Sequence, residues 1–134
     1  NTTGYSNSFF GESPGSVNTT GFSNAFFGDG AGAVNTTGNR CTFIGTSAGA
    51  ANIGGTRHVF VGFNAGKANT SGSFNTFLGC NSGAANTTGP YNAFFGYATG
   101  KVNTTGTRNS FFGYSAGYKN VGGSKNTCVG HHSA

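Results

Sequence analysis

Apolar and polar residues recur along the chain with a period of 17, and inside each period one short stretch alternates as a strand does. The chain can be written without insertion or deletion in frames that begin at Asn1, Asn18, Asn35, Asn52, Asn69, Asn86, Asn103 and Asn120. The consensus is N-T-T-G-x-x-N-x-F-Φ-G-x-x-A-G-x-x, with Φ apolar, and the eighth copy stops at its fifteenth position, Ala134. Residues 1–134 therefore read as one repeat domain. The predicted strand is the N-x-F-Φ-G stretch, as in Asn7 to Gly11 or Asn75 to Gly79. Residues two apart on a strand share a face, so the Asn and the first Phe point one way and the apolar residue at position ten points the other.

Glycine punctuates the strands. Position four is Gly in every copy, from Gly4 to Gly123, and so is position eleven, from Gly11 to Gly130; a third column runs from Gly15 to Gly117 and gives way only at Ala134. Such columns predict corners where φ is positive or a neighbouring backbone comes close. Three corners in every 17 residues leave segments too short for helices but long enough for short strands.

Position nine holds Phe9, Phe26, Phe43, Phe60, Phe77, Phe94 and Phe111, then Cys128. Coils stacked about 4.8 Å apart place these rings in one ladder, the core of a solenoid. Position ten holds Phe10, Phe27, Ile44, Val61, Leu78, Phe95, Phe112 and Val129, on the opposite face of the same strand. A single thin solenoid leaves that stripe as an apolar patch of roughly several hundred Å² or more, which soluble monomers rarely carry. The stripe predicts a partner, and the simplest is the same chain around a symmetry axis, as a parallel homotrimer with the stripe buried between chains. The Asn columns at positions one and seven predict inward amide ladders, bonded to one another and to the corners. Cys41 and His58 stand in place of two of the position-seven Asn and read as tolerated substitutions; the competing reading is a metal or redox pair in adjacent coils.

Composition narrows the class. Of 134 residues, 26 are Gly and only 7% are charged, which is not the make-up of a globular enzyme, while 14 Phe give far more apolar surface than a flexible linker carries. The net charge of +5 arises because Glu12 and Asp29 are the only acids, and the basic residues form no cluster in sequence that would point to nucleic acid. No apolar run of about 18 residues predicts a membrane span, and no charged segment followed by an apolar one opens the chain as a signal peptide would. The chain begins with Asn and contains no Met, which points to a processed product or a piece of something longer. Cys41, Cys80 and Cys128 lack metal-ligand spacing and predict no disulfide framework.

Candidate chemistry is sparse. Glu12 and Asp29 share position twelve of consecutive coils without a base, nucleophile or cleft beside them and read as surface decoration. His131, His132 and Cys128 resemble a metal site only loosely. The glycine-rich stretches match no phosphate-binding fingerprint. Basic residues gather at position six (Arg40, Arg57, Arg108, Lys125) and position sixteen (Lys67, Lys101), interrupted by Phe74, Tyr91 and Tyr118; such columns suit an acidic polysaccharide or a phosphate backbone, or are a solvated face. Position twelve also holds Phe63, Tyr97 and Tyr114, candidates for surface recognition because sugars stack on exposed aromatic faces. Six copies begin with a sequon, at Asn1, Asn18, Asn35, Asn69, Asn86 and Asn103, and could carry glycans if those side chains point outward; if they form the inward ladder they cannot, and Thr2, Thr3 and their equivalents are the better acceptors.

The unit from Asn69 to Ala85, NTSGSFNTFLGCNSGAA, resembles the N-T-F-Φ-G-x-x-A-G-x-x-N-T-T-G arrays of large bacterial and phage fibre proteins, the tail-fibre-like and trimeric adhesin group. That resemblance covers the whole chain and implies a trimeric β-roll or β-helix on a cell or virion surface, its assembly assisted by a chaperone portion not present in this sequence. A weaker one, in the N-x-F-x-G of Asn7 to Gly11, is to the ryegrass-type ice-binding β-roll, although Ile53-Gly54 and Val121-Gly122 break the Thr column that ice binding wants. The expectation is an all-β parallel β-solenoid of either hand, one coil per repeat, acting as the shaft or head of an extracellular fibre. It is expected to partner itself, as a homotrimer or end to end in a filament, and surface glycans, and to use no cofactor, metal, nucleic acid or membrane insertion and no catalysis.

Overall fold

The computed structural model describes residues 1–133; Ala134, where the third glycine column was read to break, lies outside the described residues. The chain is an all-β parallel β-solenoid of about seven turns. Its eight strands are β1 (Ser8–Phe10), β2 (Ala25–Phe27), β3 (Thr42–Ile44), β4 (Val59–Val61), β5 (Thr76–Leu78), β6 (Ala93–Phe95), β7 (Ser110–Phe112) and β8 (Thr127–Val129). They form one sheet in chain order, each parallel to the next and in register across the repeat, so that Phe9 faces Phe26 and Phe10 faces Phe27. Away from the sheet the coils still bond to one another: the Thr19 carbonyl accepts the amides of Thr2, Thr3 and Gly4 at 2.9–3.0 Å, and Gly32 donates to Ala48 at 2.9 Å.

The core is one residue wide. The rings of Phe26, Phe43, Phe60, Phe77, Phe94 and Phe111 are fully buried and, with half-buried Phe9, stack with centroids 4.7–5.0 Å apart and planes within 12° of parallel. That spacing is the strand separation of a sheet, so the backbone ladder and the ring ladder share one repeat. Small residues at position fourteen, Ala31, Ala48, Ala65 and Ala116, close the core.

The glycine columns separate into different physical needs. Gly55, at position four, has no left-handed φ; a Cβ there would meet the Gly72 carbonyl oxygen at 2.6 Å and the His58 ring at 2.7 Å, so the requirement is space alone. Gly62, at position eleven, needs both, with φ 134° and the Gly79 carbonyl 2.6 Å from where its Cβ would be. The left-handed conformation also appears where glycine was not expected. Every residue at position six has φ between 54° and 62°, including Arg40, Arg57, Phe74, Tyr91, Arg108 and Lys125. Position thirteen does likewise, with Ser, Asn, Ala or His at φ 50–58° and Gly30 at 62°.

Candidate functional site

Two amide ladders flank the ring ladder and use nearly every polar atom they own. At position one, Asn69 Nδ2 donates to Asn52 Oδ1 and to the Gly72 carbonyl, both at 3.0 Å, while its Oδ1 accepts from Asn86 Nδ2 at 3.0 Å. The same pattern runs from Asn1 to Asn120. At position seven the amide bridges two coils: Asn92 Oδ1 accepts the Asn109 backbone N–H at 3.0 Å, and Asn92 Nδ2 donates to the Gly106 carbonyl at 2.8 Å. No buried side-chain nitrogen or oxygen among the described residues lacks a partner.

This placement decides the sequons. Asn18, Asn35, Asn69, Asn86 and Asn103 are buried with both amide N–H groups bonded, so an N-linked glycan would have to sit in the core. Their inward orientation corrects the reading of these five as glycan acceptors; of the six, Asn1 alone is exposed. Thr2 and Thr3 are exposed. Hydroxyls at position two largely serve the coil, as Thr19 Oγ1 does by donating to the Thr36 carbonyl at 3.0 Å and Thr87 Oγ1 to that of Thr104 at 3.1 Å.

Cys41 and His58 lie inside the position-seven ladder and imitate the Asn they replace. Burial pushes the Cys41 thiol up to about 12, and its Sγ lies 3.3 Å from the Asn39 carbonyl oxygen. His58 Nδ1 accepts the Asn75 N–H at 3.3 Å, and its other ring nitrogen faces the Gly72 carbonyl, as the amide group of an Asn would. Burial lowers its pKa from 6.5 to about 4. Both are therefore neutral at pH 7, and no group of three His, Cys, Asp or Glu among the described residues could hold a metal ion.

The outer surface carries three columns of interest. At position ten, Phe10, Phe27, Ile44, Leu78, Phe112 and Val129 are 39–73% exposed, and Val61 and Phe95 are half-buried, so the stripe runs open along the length of a single chain. At position twelve, Phe63, Tyr97 and Tyr114 are exposed, but Tyr97 stacks on Tyr114 at 5.0 Å and Tyr114 on His131 at 5.0 Å. Both faces of Tyr114 and one face of Tyr97 are taken by aromatic column neighbours, while Phe63 has Thr46 and Cys80 as its column neighbours. At position six, Arg57, Phe74, Tyr91 and Arg108 form a stack in which Arg57 lies 5.0 Å from the Phe74 centroid, the two rings are 5.0 Å apart, and Arg108 lies 5.2 Å from Tyr91. The aromatics that interrupt the basic column in sequence thus join it in space.

No protein-family model, curated protein or solved structure matches the chain.

Proposed function

We propose that the chain is a structural segment of an extracellular fibre of the tail-fibre-like or trimeric-adhesin kind, in which three parallel copies bury their position-ten stripes against one another and present their outer columns for multivalent attachment to surface glycans. The observation that carries this reading is the contrast between two faces of one strand. Inside, Phe rings and amides are saturated with partners; outside, a stripe of eight apolar side chains has no cover beyond its own column. A rotation axis parallel to the rod sets each coil against the same coil of its neighbours, so one 17-residue unit satisfies the interface along the whole length. The reading is structural, not catalytic: Glu12 and Asp29 are exposed, and Cys41 and His58 are held neutral within the core.

Small-angle scattering tests the shape. Eight coils at about 4.8 Å make a rod of about 38 Å, and three such rods side by side give a short particle whose length does not change with concentration. Growth in length with concentration supports end-to-end filaments instead.

A further inference from the structure

We infer that the position-six corner is a binding ridge for a linear anionic polysaccharide, held by Arg40, Arg57, Arg108 and Lys125. This deepens the proposed attachment role and rests on it. All four side chains are exposed and stand in register along one edge of the rod, two in adjacent coils 3 and 4 and two in adjacent coils 7 and 8. Between the pairs Phe74 and Tyr91 fill the column.

The guanidinium groups are held in place. Arg40 lies 5.1 Å from the Phe22 centroid, Arg57 5.0 Å from Phe74 and Arg108 5.2 Å from Tyr91. Stacking fixes a guanidinium plane and leaves its in-plane N–H donors free for a carboxylate or sulfate, so less rotamer entropy is lost on binding. The chain offers these cations little competition, since its only two acidic side chains, Glu12 and Asp29, are at position twelve of coils 1 and 2, beyond the other end of the strand.

Conformation gives an independent indication. Arg40, Arg57, Arg108 and Lys125 hold φ of 56–61°, a left-handed region that glycine adopts more readily than a residue with a side chain. In a chain with 26 glycines, long cationic and aromatic side chains occupy this strained column throughout coils 3 to 8. The occupant follows from the same geometry. A straight row of donors on a rigid rod suits a straight polyanion, and the faces of Phe74 and Tyr91 are taken by each other and by Arg57 and Arg108, which leaves no platform for nucleic-acid bases.

Immobilised polygalacturonate, neutral dextran and single-stranded DNA are compared as ligands for the full chain at low and moderate salt. The expected result is salt-sensitive retention on polygalacturonate above dextran and DNA, weakened about tenfold by Arg57→Gln with Arg108→Gln and unchanged by Lys67→Gln with Lys119→Gln, which removes equal charge elsewhere. Equal weakening in both double variants, no retention on polygalacturonate, equal retention on dextran, or stronger retention on DNA would each overturn the proposal. The wild-type comparison needs no variant to fold, and circular dichroism shows whether the variants do. Native mass on the same samples keeps the two readings apart: a single chain that still binds polygalacturonate sinks the trimer and leaves the ridge standing.

Discussion

At the residue scale the chain tolerates change only where the new atoms do the old bonding. His58 shows this. Its neutral form accepts the Asn75 N–H through Nδ1, and a proton there would set donor against donor in a buried site. An unfolded His takes up its proton near 6.5 and the folded one near 4, so between those values the unfolded chain binds more protons. Stability is thus fully present above pH 6.5 and falls as the pH drops through this window, by about 3 kcal/mol at its full extent. Urea melts at pH 7 and pH 4 and at fixed chain concentration should show this loss in the wild type and a much smaller one in His58→Asn; equal losses would remove His58 as the cause. Glycine makes the complementary case. Gly62→Ala meets both a left-handed φ and the Gly79 carbonyl, while Gly130→Ala, in the last coil, shares the positive φ at 120° but meets no atom within 4 Å. Gly62→Ala should lower the melting temperature far more, by a destabilisation of about 3 kcal/mol or above. The position-four glycines were legible as obligatory, but the sequence could not say that they answer a need for space and not for positive φ. The left-handed residues at position six were not legible, because Arg, Phe and Tyr carry no turn signal.

At the element scale each coil owns one three-residue strand and too little surface to stand alone, and stability comes from its two neighbours. The Phe ladder was readable because seven identical residues at a fixed period can only line up when coils stack in register. Phe60→Ala, in the middle of the ladder and fully buried, should cost about 3–5 kcal/mol in equilibrium unfolding; Phe9→Ala, half-buried and stacked on one ring only, should cost clearly less. The amide ladder predicts a similar contrast. Asn69→Ala leaves the Asn86 donor and the Asn52 acceptor without their partner inside the core and should destabilise by about 2 kcal/mol or more, with Asn69→Asp no better, because a buried carboxylate would face the Asn52 carbonyl oxygen. Equal effects at Phe60 and Phe9, or a silent Asn69→Ala, would mean that the ladders are not what holds the coils. The sequons left two readings open: N-T-T describes a glycan acceptor by motif, but Asn followed by a Thr whose hydroxyl bonds the next coil is also what a stacked corner needs.

At the scale of the whole molecule the repeat states its architecture plainly and its partners only by implication. A column can be recognised in sequence as apolar, but whether it is inside depends on what lies across from it. Position nine finds its cover within the chain, and position ten does not. The surface aromatics show what a column adds to a residue: Tyr97 and Tyr114, exposed as the sequence suggested, also stack on each other at the coil spacing. The proposed trimer covers the position-ten stripe with copies of the same chain. Native mass spectrometry, with the wild type beside Leu78→Lys, tests it most directly. A trimer gives a wild-type species of three times 13.4 kDa, and folded single chains for the variant, whose new ammonium group places charge in the middle of the stripe. A wild type that stays at 13.4 kDa at every concentration, its stripe open to water, would contradict it.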